Sequence, residues 1–342
     1  MSSLSDRLLP ALTIHVAIHL LLFTLASWFI LFIFLGYGLV VVLVGGVAST
    51  LVVIIIEWLA GPGLVSILLR PSWIEREDDV ALWSLVQGAA DRAGVKLGRI
   101  GVLDIDAPNS LVYVSLTGRP VIILTRGLLV DLTYKEVRVN VAYLLGCNES
   151  GVLGVLTALS GLLVLSNKVA SGYIESRFEE KRAGVLDIIR AGWGYLIFAL
   201  VYPQIVIVSK GMSLYGDEFS IRQTEDPSSF FSMLLKVTTG LALNPFTTIR
   251  TSCSPLKGLM FQDPTSVLRD VTTIKEAAGK YGIDLKRLLG YEPLGLLKGE
   301  EPKLHVFERF WVQPSLSDRL EHGLEFGSES NYPIRVGLDR ME

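Results

Sequence analysis

From Leu8 to Ile56 the chain carries no Asp, Glu, Lys or Arg, and such an apolar run is about twice the ~20 residues that cross a bilayer core as a helix. Two helices fit it. Gly36-Tyr37-Gly38, two glycines flanking an interfacial aromatic, sets the break, giving a hairpin of roughly Leu12 to Leu35 and Leu39 to Ala60. The length of the run and the lack of an early positive cluster with a small-residue cleavage site argue against a signal peptide. Ser150 to Asn167 and Ala191 to Ser209, the latter containing Pro203, are two further apolar candidates near the minimum length for a span.

The remainder of the chain requires water. A hydrophobic content of 50% and a mean hydropathy of +0.48 are too apolar for an ordinary soluble enzyme, yet 19% charged residues are too many for a pure membrane bundle. Helices in the bilayer plus a folded aqueous domain follow. A net charge of -3 and a pI near 5.9 provide no basic field for phosphates, so nucleic acid is not an expected partner. Cys147 and Cys253 form no Cys-x-x-Cys pair, which speaks against a disulfide framework or a zinc ribbon and suits a reducing compartment. A slight Lys/Arg asymmetry among the flanks predicts a multi-pass protein of the cell membrane with its folded segments in the cytoplasm.

Between the second and third apolar blocks the periodicity changes. Asp78 to Ala93 has a helical apolar face closed by Gly94. Ile100 to Ile105, Val112 to Leu116 and the fully apolar Val121-Ile122-Ile123-Leu124 read as short strands. Thr133-Tyr134-Lys135-Glu136 has the Thr-x-x-Glu pattern of a capping box and opens a helix running towards Cys147. After the fourth block, Gly211 to Leu243 reads as helix broken near Asp226-Pro227. Val271 to Tyr281 reads as an amphipathic helix closed by Gly282, and Ser315 caps a last helix after Pro314.

Five fragments then occur in a telling order. They are Ala107-Pro108-Asn109-Ser110, Thr125-Arg126-Gly127-Leu128-Leu129, the capped helix at Lys135-Glu136, Glu218-Phe219-Ser220-Ile221-Arg222 and Gln313-Pro314-Ser315. With the N-terminal hairpin, this series resembles the HtpX-like membrane metallopeptidases, relatives of the CAAX prenyl endopeptidase, over roughly Leu12 to Leu320. The resemblance implies an α+β, zincin-like (gluzincin) domain with four hydrophobic helices. It divides the chain into a hairpin over 1–60, a first peptidase-like part over 61–149, a helical pair over 150–209 and a second part over 210–342, with an unfamiliar insertion at about 254–305.

In that family two His one turn apart and a later Glu hold zinc, while the Glu after the first His polarises the bound water. The resemblance puts Tyr143 at the first His, Leu144 at the general base and Cys147 at the second His. Only Glu218, at the third ligand position, is kept. Arg222 stands for the orienting Asp and Gln313 for the His of the family's His-Pro segment. The four His of the chain, His15, His19, His305 and His322, begin no His-Glu-x-x-His in any register. A phenol with a pKa near ~10 is a poor zinc ligand at neutral pH, which leaves Cys147 and Glu218 as donors where zinc wants three or four. No catalytic residue and no cofactor are therefore expected.

The plainest reading makes Tyr143, Leu144, Cys147 and Arg222 packing residues, with Glu218 and Arg222 a helical i, i+4 ion pair. The functional reading is a pseudopeptidase in membrane protein quality control. It would bind membrane polypeptides along Val121, Ile122, Ile123 and Leu124, taken as an edge strand, or bind an active peptidase. Two alternatives stand beside it: an atypical zinc metalloendopeptidase using Cys147 and Glu218, and a structural scaffold subunit in the bilayer. His15 and His19 read as helix–helix hydrogen bonding within the membrane. Gly216-Asp217 resembles half of an intramembrane aspartyl protease site, but no apolar span holds a second Asp, so Asp217 reads as an interfacial cap.

Overall fold

The computed structural model describes residues 35–178, 185–244, 253–267 and 312–330, with scattered positions in 13–28 and at 249, 270, 274, 276, 279 and 286. The first expected membrane helix lies largely outside the described residues, as do His15, His305, most of the 254–305 insertion and most of the helix expected at Val271 to Tyr281.

Helix α1 (Leu39–Leu69) follows the Gly36 turn and runs nine residues beyond the expected end at Ala60. Its first two thirds expose Val40, Val44, Leu51, Val52, Ile55 and Leu59, as a lipid-facing surface would, while Val65 and Leu69 are buried against the folded domain. Strand β1 (Ser72–Ile74) follows, then α2 (Val80–Ala93), capped by the Asp79 side chain and ended by Gly94 in the left-handed region. Strands β2 (Arg99–Leu103), β3 (Ser110–Val114) and β4 (Pro120–Thr125) come next, followed by the short helix α3 (Arg126–Asp131). Helix α4 (Tyr134–Glu149) begins on the expected capping box, Thr133 and Glu136 each bonding the other's backbone. Glu136 also takes Lys236 as a buried ionic partner at 2.7 Å, which ties the start of α4 to a helix a hundred residues further on.

Helices α5 (Leu153–Phe178) and α6 (Val185–Thr224) form the later pair, both longer than the apolar stretches that announced them. A turn at Glu225 and the Asp226 cap separate α6 from α7 (Pro227–Leu243), as expected. A 3-10 helix (Ser254–Leu259) leads into the segment 260–263, and α8 (Leu316–Glu329) starts on a Ser315–Asp318 capping box.

By length and composition α1 and the Ile197–Thr224 part of α6 can cross a membrane, while α4 and α5 meet at a 93° bend and together make a third, broken candidate. Helices α1 and α5 cross in close contact at Gly61 and Gly161: a Cβ on Gly161 would lie 2.5 Å from the Gly61 Cα. Inside the hairpin, His19 Nε2 lies 2.7 Å from the Glu57 carboxylate, both side chains buried. That is the helix–helix hydrogen bond expected of His19, with a partner 38 residues away.

The four-stranded sheet has the order β1-β2-β4-β3. This corrects one expectation. Val121, Ile122, Ile123 and Leu124 do not form an edge: β4 is paired on both sides, parallel to β2 and antiparallel to β3, and these four residues are buried. A run apolar at every position suits a strand covered on both faces, and here it also has neighbours on both flanks. The sheet edges are β1 and β3.

Candidate functional site

Helix α4 crosses α6 through Gly216, where a Cβ would meet the Tyr143 ring at 2.8 Å and the Cys147 Sγ at 3.0 Å. Tyr143, Leu144 and Cys147 are all fully buried in one apolar core. Along α6 the buried positions Met212, Ser213, Gly216, Asp217, Ser220 and Ile221 follow a helical period, so Asp217 faces the core while Glu218 is turned about 100° to the side.

Asp217 is the anchor of the site, not an interfacial cap. Its carboxylate accepts two hydrogen bonds from Arg319 of α8, Nε at 2.9 Å and Nη2 at 2.6 Å, and both side chains are wholly excluded from solvent. Arg319 Nη1 donates to the Phe261 carbonyl at 2.8 Å and to Gln262 Oε1 at 3.0 Å. The guanidinium plane also lies 4.5 Å from the Phe261 ring centroid and 5.1 Å from that of Tyr143, and the two rings meet edge to face at 4.8 Å. Burial works most strongly against the Arg319 charge, but its neighbours, the Asp217 carboxylate foremost, together outweigh it and hold the guanidinium above the ordinary arginine range. In α4 the Cys147 thiol is fully buried, packed where α4 crosses Gly216.

Glu218 does not pair with Arg222. Its carboxylate meets His322 Nε2 of α8 at 3.1 Å in a half-buried contact, and the Arg222 guanidinium lies over the Phe219 ring at 5.8 Å. Among the described residues no three His, Cys, Asp or Glu side chains gather closely enough to hold a metal ion.

The true edge of the sheet beside this site is occupied by the chain itself. Met260 bridges Leu111 of β3 in antiparallel fashion, and Phe261 N donates to the Ser110 carbonyl at 2.7 Å. Asn109 Nδ2 donates to the Gln262 carbonyl at 2.9 Å, and Asn109 Oδ1 accepts from Gln262 N at 3.3 Å. Gln313 Nε2 donates to the Met260 carbonyl. Segment 260–262 is thus held mainly through its backbone, as an extended polypeptide added to an edge would be. Thr125 Oγ1 donates to the Ala107 carbonyl and caps α3, and a Cβ at Gly127 would lie 1.8 Å from the Asp106 carbonyl oxygen. Two of the five fragments, Ala107 to Ser110 and Thr125 to Leu129, therefore fit together as the mount for β3.

No family model and no solved structure matches the chain. Among curated proteins it is 24% identical over 224 residues to a protein named Protease HtpX homolog from Aeropyrum pernix, covering 62% of this chain and 68% of that one. It is 23% identical over 194 residues to the Protease HtpX homolog of Methanothermobacter thermautotrophicus, covering 56% of this chain and 72% of that one. These two similarities support an HtpX-like relationship for the chain. Membrane association agrees with its apolar helices. Sequence reasoning about this HtpX-like chain missed Asp217, Phe261, Arg319 and His322 as neighbours of Tyr143, Cys147 and Glu218. Only Arg319, set between Leu316 and Leu320 on the apolar face of a capped helix, offered a signal.

Proposed function

We propose that this HtpX-like protein is a catalytically inactive, multi-pass membrane pseudopeptidase, built on a zincin-like domain assembled from residues 61–149 and 210–342. The observation that carries the reading is Arg319. A permanent cation, locked to Asp217 and stacked on Tyr143 and Phe261, sits against the helix where the family motif would hold zinc. A divalent metal placed there would meet that charge together with a phenol and a single thiol, too few donors for zinc. Leu144, fully buried, has no group to accept a proton, and loss of a positioned acid/base alone costs a factor of roughly 10² to 10⁴.

With segment 260–262 on β3, an incoming polypeptide would have to displace it to add a strand at that edge. That favours a partner taken on the outer surfaces: a membrane polypeptide or an active peptidase engaged in membrane protein quality control, on the cytoplasmic side. The detergent-purified protein is expected to leave casein and unfolded membrane substrates intact over hours. Cleavage that stops on adding a chelator and is lost in Glu218→Ala overturns this reading.

The contact of Glu218 with His322 gives a second reading its one support, since these are ligand-type groups at the retained ligand position. It would make the chain an atypical zinc metalloendopeptidase drawing on Cys147 and Glu218. A structural scaffold subunit would instead co-purify with one partner at fixed stoichiometry and tolerate changes at Arg319 that preserve folding.

A further inference from the structure

The two ends of the sheet face different surroundings. Arg99 at the start of β2 lies opposite Val121, Val114 at the end of β3 lies opposite Pro120, and Ile74 at the end of β1 lies opposite Ile100. Arg76, Arg99 and the β3–β4 turn through Leu116 and Gly118 therefore collect at one end. That turn lines a small cavity with Trp58 and Pro62 of the apolar helix α1. Trp58 is 42% exposed and Leu116 67% exposed, side chains suited to the boundary between lipid and water. This end of the sheet consequently looks towards the bilayer.

A groove of about 320 Å³ opens at that end, lined by Trp73, Glu75, Arg76, Trp83, Gln87 and Arg99 among others. Each arginine lies over a ring: Arg76 5.5 Å from the Trp83 centroid and Arg99 4.3 Å from that of Trp73. Stacking orients a guanidinium while leaving its N–H edge available. Neither arginine has a hydrogen bond or ion pair with another described residue. Two oriented forks beside one groove match the oxygens of a phosphate. Glu75 borders the same groove, which suits a phosphate that carries a hydroxyl or ammonium group over the bare anion. Val80, 59% exposed, precedes Trp83 and Gln87 at i, i+3 and i+7 on α2 and offers an apolar rim.

We propose that this groove binds the phosphate-bearing headgroup of a membrane lipid, seating the aqueous domain on the bilayer surface. The test titrates the full chain, purified in a phosphate-free detergent, with brominated phosphatidylglycerol and follows quenching of tryptophan fluorescence. Wild type is expected to quench saturably. Arg76→Gln/Arg99→Gln should weaken binding at least about tenfold, since both charge-assisted hydrogen-bond donors to the phosphate are lost. Arg76→Lys/Arg99→Lys, keeping charge without the fork, should fall between them, and Arg126→Gln, outside the groove, should match wild type. Inorganic phosphate at the same concentration should not compete. Equal binding by wild type and the glutamine variant overturns the proposal, and displacement of the lipid by inorganic phosphate reassigns the groove to the free anion. Both arginines are exposed, so their variants should melt like wild type. If the glutamine variant melts lower, the lysine variant decides: binding equal to wild type then overturns the proposal.

Discussion

Arg319→Met is expected to lower the stability of the detergent-purified protein by about 3–5 kcal/mol, read as a large fall in melting temperature, because it strands Asp217 as an unpaired buried charge. The same change unseats the Phe261 carbonyl and Gln262 Oε1, each bonded to the guanidinium. Asp217→Leu/Arg319→Met should recover most of the loss, since replacing both members of a buried pair with apolar groups is often neutral or better. Melting of the single variant at the wild-type temperature would mean that water reaches Asp217, and hence that the site is an open cleft and not a filled core.

Restoring the family motif should damage this protein instead of activating it. In Tyr143→His/Leu144→Glu/Cys147→His, the new Glu replaces a side chain with no solvent exposure in a continuous apolar core. Burying a carboxylate with no partner places such a change in the rare class above about 4 kcal/mol, or forces the group to bind a proton. The triple variant should therefore melt far below wild type and take up no zinc, because Arg319 still occupies the neighbouring space. Recovery of zinc binding and peptide cleavage would show that a working cleft had been left in place and that three side chains alone had silenced it.

Local features were readable from the chain because they depend on residues a few positions apart. The Thr133 capping box, the Ser315 cap, the stop at Gly94 and the break at Asp226 formed where spacing placed them, and the three strands after α2 formed with their ends shifted by one or two residues. Strand β1 escaped because three residues are too few to show alternation. The place of β4 in the sheet is not legible for a different reason. An apolar run states that both faces of a strand are covered but says nothing about its two flanks, and β2 and β3 took both. The site itself depends on contacts across more than a hundred residues. Asp217 meets Arg319 at a separation of 102, and Asn109 meets Gln262 at a separation of 153. An arginine set between Leu316 and Leu320 on a capped helix implies a buried acid. Nothing local says that the acid is Asp217, the neighbour of the one residue that matched the family's third ligand.

Elemental analysis of the detergent-purified, unchelated protein tests the filled-site account most directly. Zinc well below one atom per chain, unchanged after dialysis against zinc-containing buffer, is the predicted result. One tightly held zinc per chain, lost in Cys147→Ser or Glu218→Ala, would contradict it.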